Sequence, residues 1–317
     1  TADVEYTVAS FSSTIEGTTG DNNEIVISVQ LSNPVDEVVV ISYAAQDDEA
    51  ISGDDFVSTT GDLTFAANEV GPLTFTITIL GDNIVEDDET LNLTLLSPRD
   101  DALPTPNTLG FINIGADAIA TIENDDQSVI TISDNLTIDE GDGSGVLTFT
   151  ITQTGAVEED FVVQGFTAEG FDPSTRALTG TDPALHDFTS VTPNFNFTGL
   201  TTPQSLTVDI PILDNSIVEQ DELLRFVLNN INAGGRNVVF LGETPTLTGN
   251  GTILNDDAAF INLVATGGAE DINEGLGGQT LRTYTVTMSA EVDADVNVGY
   301  SFSDGVAALS SDYTASA

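Results

Sequence analysis

Between Leu73 and Leu96 the chain reads LTFTITILGDNIVEDDETLNLTLL. Five carboxylates, Asp82, Glu86, Asp87, Asp88 and Glu89, fall within eight residues of it. The flanking segments alternate apolar and polar residues, the two-residue period of half-buried strands, so the acids sit at the tip of a hairpin. No basic residue follows until Arg99. Carboxylates gathered without basic partners repel one another, and coordination of a hard divalent cation reverses the sign. Ca²⁺ takes about six to eight oxygens from carboxylates, carbonyls and water, and Mg²⁺ insists on a small octahedron. Zn²⁺ wants His or Cys, and the chain has one His and no Cys. Calcium is therefore the cation such a tip suits.

The elements that position these acids must be strands. Period-two runs occur at EIVISVQL (24–31), EVVVISYA (37–44), LTFTITIL (73–80), VLTFTITQ (146–153), SLTVDIPIL (205–213) and TYTVTM (283–288). They are rich in Thr, Val and Ile, as pleated surfaces prefer. Asn, Asp, Gly and Pro clusters interrupt them about every ten residues, the pattern of an antiparallel sandwich or barrel.

The chain also repeats itself. ILGDNIVEDDETLNLTL (79–95) aligns without a gap on ILDNSIVEQDELLRFVL (212–228), 133 residues later, and TIENDD (121–126) aligns on TILNDD (252–257). TIEG (14–17) recurs as IDEG (138–141) and INEG (272–275). GDDF (53–56), HDF (186–188) and SDY (311–313) hold one position. The expected units are residues 1–126, 127–257 and 258–317, the third being the first half of a repeat. Its strands alone would leave an open core and unpaired edges, so either the sequence is cut from a longer chain or another subunit adds the missing strands; the first is favoured.

In the first repeat the pattern predicts strands at about 4–12, 24–31, 37–44, 61–66, 72–80, 89–96 and 118–123. If successive strands reverse direction, four acid-bearing loops reach one end. They carry Glu16; Asp47, Asp48, Asp54 and Asp55; Asp82, Glu86, Asp87 and Asp88; and Asp125 and Asp126. The opposite end holds Asp36, Glu37, Glu69, Asp100 and Asp101, spread more thinly. The acid-rich end also leads into the next repeat, so a cation there would stiffen the junction.

Composition narrows the partners. The formal net charge is −47, and the five basic residues, Arg99, Arg176, Arg225, Arg236 and Arg282, are all arginines. Nucleic acid and anionic membrane surfaces are excluded, since both require basic patches. Like charge at this density penalises compact states, so saline medium or bound cations should compensate. No apolar run approaches the roughly 20 residues of a membrane span, and direct membrane insertion is not expected. The start at Thr1, without a leader-like segment, reads as a mature or excised piece of something longer.

The early EG, SGDDF with GDLTFAANE, the ITILGDNIVEDDETLNLTL block and the closing TIENDD together resemble a Calx-beta domain, the module of sodium–calcium exchanger regulatory loops, integrin beta-4 and large bacterial surface proteins. The second repeat carries PILDNSIVEQDELLRFVL and TILNDD, and the third matches in its first half. The resemblance implies an all-β chain of tandem seven-stranded antiparallel Ig-like β-sandwiches, the third incomplete, with calcium held at the distal tip. The implied ligands in the first repeat are Glu16, Asp54 or Asp55, Asp82, Glu86, Asp125 and Asp126. In the second they are Glu140, Asp187, Asp214, Glu219, Asp256 and Asp257. Glu274 and Asp312 are what the third could offer. Calcium-binding members often place two adjacent acids where this chain has Gly81–Asp82 and Asp214–Asn215.

Catalysis is not expected. His186 with Ser190 lacks the sequence context of a triad. Glycosidase-like carboxylate pairs would want an aromatic cleft, and there is no Trp. N-x-T sequons at Asn92, Asn135, Asn196 and Asn250 matter only in a glycosylating host. The expected role is a non-enzymatic, extracellular or cell-surface segment of a stalk, adhesin or filament, partnered by neighbouring repeats or subunits. The alternative is a glycan- or protein-recognition module built on the second repeat's insert, GFTAEGFDPSTRALTGTDPALHDF (165–188), where the first repeat has AAQDDEAISGDDF (44–56).

Overall fold

The computed structural model describes residues 4–9, 13–96, 98–100, 107–108, 112–113, 118–141, 145–266, 277–303, 307 and 312–314. Among them every regular element is a strand. In the first repeat these are β1 (Val4–Ala9), β2 (Thr14–Ile15), β3 (Glu24–Leu31), β4 (Val39–Gln46), β5 (Thr60–Phe65), β6 (Leu73–Thr78), β7 (Ile84–Val85), β8 (Glu89–Leu95), β9 (Arg99–Asp100), β10 (Asn107–Thr108), β11 (Ile112–Asn113) and β12 (Ala118–Glu123). The second contains β13 (Ser128–Ile132), β14 (Leu136–Asp139), β15 (Val146–Thr154), β16 (Ala156–Val157), β17 (Phe161–Glu169), β18 (Asn194–Phe197), β19 (Gln204–Pro211), β20 (Glu222–Asn232), β21 (Val238–Phe240) and β22 (Leu247–Leu254). Residues beyond it form β23 (Ile261–Ala265) and β24 (Tyr284–Met288).

Each of the first two repeats is a sandwich of two sheets. One pairs β11-β1-β3-β6 and the other β10-β9-β4-β8-β12-β2, with β5 on the edge of β4. The second repeat is laid out as β19-β15-β13-β21 against β14-β22-β20-β17-β18. The alternation sets which face is inward: β3 buries Ile25, Ile27, Val29 and Leu31 while Val26 is exposed. Facing residues of the other sheet, among them Ile41, Leu91, Leu93 and Ile122, close the core. The second core is richer in aromatics: Phe161 stacks on Phe197 at 4.9 Å between ring centroids, and Phe226 meets Phe149 and Phe195. β23 and β24 pair antiparallel, Ile261 opposite Met288, and their large apolar side chains are exposed.

One detail departs from the strand pattern. Within the first predicted strand, 4–12, β1 pairs with β3 in one sheet, whereas β2, just past that range and not predicted, pairs parallel with β12 in the other. The second repeat does the same with β13 and β14, and Asn135 between them adopts φ 55°. Alternation cannot show a strand changing sheets, because it marks which residues face inward and not which sheet a strand joins. The switch matters because it delivers the following Glu–Gly beside the end of β12 or β22.

The repeats are joined by pairing as well as by chain. β7, from the hairpin between β6 and β8, pairs parallel with β16 of the second repeat, Ile84 opposite Ala156 and Val85 opposite Val157. Val218, in the matching hairpin, forms a parallel bridge to Val292 beyond it.

Candidate metal centre

Three loops build the tip of the first repeat. After β2, Glu16 donates its N–H to Glu123 O at 3.0 Å, which fixes its backbone against the end of β12. The Glu16 side chain is only 4% exposed, and its carboxylate accepts the Asp82 N–H at 3.0 Å. The β6–β8 hairpin is shaped by Asp82, whose Oδ1 accepts Ile84 N–H at 2.6 Å. Asn124 ties that hairpin to the exit of β12: its Oδ1 accepts Glu86 N–H at 3.2 Å, and its own N–H reaches Asp88 Oδ1 at 3.1 Å. The Asn of the NDD motif is thus a clamp, and of the two acids after it Asp126 enters the site. Asp55 is placed by its neighbour: Phe56 is fully buried and bridged to Ile79, and Asp55 O accepts Leu80 N–H at 2.9 Å.

These constraints bring Glu16, Asp82 and Asp126 together, with one carboxylate oxygen from each within 4.8 Å of the others. Asp55, Glu86 and Glu89 adjoin them. Burial, then the charges of Glu16, Asp82, Asp55 and Glu89, push Glu86 up to about 8. Glu89 is likewise raised to about 8, by burial, by the charge of Asp55 and by a carboxyl–carboxyl hydrogen bond with it. Glu16 rises to about 7 and Asp126 to about 6, in each case mainly through burial.

The second repeat holds two such groups: Glu140 with Asp256 and Asp257, and Asp187 with Glu219 and Glu222. The supports also recur. Phe188 is buried behind Asp187, Leu213 N–H donates to Asp187 O at 2.8 Å, and Glu219 N–H reaches Asn255 Oδ1 at 2.9 Å. Burial first, then Glu219, raises Glu140 to about 7; burial and a hydrogen bond with Asp187 raise Glu222 to about 9. Asn215 replaces Asp82. It keeps the turn, accepting Ile217 N–H at 2.5 Å, but its Nδ2 donates to Glu140 at 2.9 Å.

Not every implied ligand joins these groups. Asp54 is exposed in the turn capped by Ile51 O, so of the pair it is Asp55 that faces the site. Asp125 lies beside Asp126 and accepts Gly17 N–H at 3.0 Å. Asp214 is in neither group of the second repeat. Its counterpart is Gly81, where a Cβ would lie 2.5 Å from Gly17 O, so the first repeat has no room for a side chain there. Glu274 lies outside the described residues. Glu89 borders the first repeat's group and Glu222 belongs to one in the second, but neither is among the ligands the sequence implied. Their signal was the ungapped alignment of EDDE (86–89) on EQDE (219–222), with acid at both ends.

Arg99 pairs with Asp62 at 2.8 Å and Arg176 with Glu169 at 3.4 Å, away from the acid groups, whereas Arg236 of the second repeat reaches Asp87 of the first repeat's hairpin and Glu158, both at 3.1 Å. Acids from the following unit also border the tips, Glu158 raising Glu89 and Asp293 raising Glu219 and Glu222. The donors fit a hard cation. All are carboxylate oxygens, and Asp126 Oδ2 is buried with no hydrogen-bond partner. Among the described residues His186 belongs to the insert, its Nδ1 3.1 Å from Asp182 O.

A family model, the Calx-beta domain, matches residues 6–126, 123–257 and 271–317. Among solved structures, one described as CBD12 from CALX1.2 is 15% identical, with 73% of this chain and 82% of that chain covered and a TM-score of 0.31. An apo-form Calx CBD1 domain is 22% identical over 39% of this chain and 98% of its own, TM-score 0.31. The calcium binding domain CBD12 of CALX1.1 is 18% identical over 69% and 76%, TM-score 0.29. No curated protein matches.

Proposed function

The chain belongs to the Calx-beta domain family, and from that premise we propose that it is a calcium-binding, non-enzymatic segment of an extracellular stalk, adhesin or surface filament. The observation that carries the reading is the carboxylate tip built twice, with Glu16 and Glu140 buried at its centre. The first ion would be held by Glu16, Asp82 and Asp126, and its counterpart by Glu140, Asp256 and Asp257. The adjoining groups, Asp55–Glu86–Glu89 and Asp187–Glu219–Glu222, would take a second ion in each repeat. Bound calcium supplies the positive charge that these carboxylates lack, and it would do so beside the joint to the next repeat. Repeats linked this way transmit order only to their neighbours, which suits an extended spacer.

The test is calorimetric titration of the full chain with Ca²⁺, paired with small-angle scattering before and after chelation. Saturable binding with a shorter particle after chelation supports the reading. Absence of binding heat with unchanged dimensions refutes it.

A second reading, recognition of a glycan or protein by the insert, is favoured by one feature. Phe171 is 83% exposed, with the Arg225 guanidinium 3.6 Å from its ring centroid. Such a plate suits stacking on a sugar face. A glycan array run with the parent chain and Phe171→Ala tests it: signals equal for both chains exclude this site.

A further inference from the structure

The two joints in the chain share one geometry. In the first, β7 lies against β16, and Glu158 N–H donates to Val85 O at 3.0 Å. In the second, Val218 N–H donates to Glu291 O at 2.9 Å, and Asp293 N–H donates back to Val218 O at 3.2 Å. The receiving corner is each time a valine followed by an acid, Val157–Glu158 and Val292–Asp293.

The first repeat has the same corner at Val35–Asp36. Val35 is buried at 6% exposure, as Val157 is at 1%. The Val35 carbonyl accepts Asn68 N–H at 2.6 Å and the Val157 carbonyl accepts Leu200 N–H at 2.7 Å. Asn68 and Leu200 are both left-handed, with φ of 69° and 55°. The corners differ on their outer side. Glu158 is half-buried beneath the hairpin it receives and Asp36 is exposed, as is Asp293, so what separates Asp36 from both engaged acids is its amide. Among the described residues nothing accepts the Asp36 N–H.

We propose that Val35–Asp36 is an acceptor for the Ile-Val-Glu hairpin of another Calx-beta repeat, which docks by the same parallel pairing. The occupant must come from a repeat whose hairpin is unengaged. Both hairpins of this chain are already used, Val85 against Val157 and Val218 against Val292. Docking would give the Asp36 N–H its acceptor and bury a valine as Val85 is buried.

The experiment extends the full chain at Thr1 with a second copy of residues 127–257. Val35 then follows the added Asp257 by 35 residues, the interval that separates Asp257 from Val292. Amide hydrogen exchange is read at Asp36, with Glu158 as the internal reference. The expected result is exchange at Asp36 slowed at least about tenfold relative to the unextended chain, and restored by Val218→Asp in the added copy alone. Asp36 exchanging at the unextended rate, in this fusion and in one that adds residues 1–126 instead, overturns the assignment. Protection of Asp36 on merely mixing unextended chains would also overturn it, because no hairpin of those chains is available.

Discussion

Val85 is carried by the first repeat, yet its side chain is fully buried in the second repeat's core, packed with Val157 and Phe161 among others. Replacing it with alanine removes two methyl groups, worth about 0.8 kcal/mol each in transfer free energy, and the cavity left behind brings the cost to about 1.5–3 kcal/mol. The parallel pairing of β7 with β16 should survive, since both are backbone contacts. The loss therefore falls on closure of the joint. At about 1.4 kcal/mol per factor of ten, the open joint becomes roughly 10- to 100-fold more populated. The Glu158 N–H, which donates to Val85 O at 3.0 Å, reports that opening directly. Native-state hydrogen exchange in Val85→Ala should quicken there by that factor, while amides in the β3–β6 pairing of the first repeat keep their rates. Unchanged exchange at Glu158 would sink the argument. So would equal acceleration in β3 and β6, which would place Val85 in the first core.

Three further outcomes follow from the tips. Calcium at about 100 times its dissociation constant should add about 2.7 kcal/mol per site, seen as a rise of several degrees in Tm by calorimetry; Glu16→Gln should remove most of the first repeat's share. Without calcium, Glu16 and Glu140 at about 7, Glu86 and Glu89 at about 8 and Glu222 at about 9 all lie above their ordinary value. Groups raised in this way stabilise the fold fully below pH about 4.5 and lose that contribution as pH rises through about 7–9, so calcium-free Tm should fall between pH 5.5 and 8.5, and a flat or rising profile contradicts the burial. Asn215→Asp supplies the carboxylate that the first repeat has at Asp82 and removes the amide donor to Glu140; calorimetry should show second-repeat calcium binding tightened about tenfold, since ligand charge sets affinity in such sites.

The strands were legible because one face of each is buried and the period is therefore strict: alternation alone predicts 24–31, 89–96 and 118–123, where β3, β8 and β12 span Glu24–Leu31, Glu89–Leu95 and Ala118–Glu123. The acid clusters were legible because strand reversal alone carries Glu16, Asp82 and Asp126 to one end. Less local features were hidden. The sheet switch between β1 and β2 cannot be read from a period-two pattern, which does not say which sheet a strand joins. The choice of Asp55 over Asp54 depends on a turn that leaves Asp54 exposed and on buried Phe56, which anchors Asp55. The exclusion of a side chain at residue 81 arises from Gly17, 64 residues earlier in the chain, whose carbonyl occupies the space. Joints between repeats were invisible for a similar reason: Val85 looks like one more apolar residue in an acidic hairpin until its partner at Val157 is known.

That hairpin performs two tasks within a few residues. Its inner side is set by the site: Asp82 Oδ1 holds Ile84 N–H and Asn124 Oδ1 holds Glu86 N–H. Its outer side is the joint, formed by Ile84 and Val85 themselves. The second hairpin repeats the arrangement, with Asn215 holding Ile217, Asn255 holding Glu219 and Val218 bridging Val292. The tip carboxylates touch the core ladders only at their ends, Glu89 opposite Ile122 and Glu222 opposite Ile253. A perturbation of the carboxylates thus reaches the joint through one or two peptide units, but reaches the cores only through the strand ends. Mutual repulsion at an ion-free tip should therefore loosen the hairpin first. Chelation is expected to increase exchange at Glu158 and Asp293 at concentrations that leave the β3–β6 and β15–β19 amides protected, and simultaneous loss at both places would show that the tips stabilise the sandwiches rather than the joints.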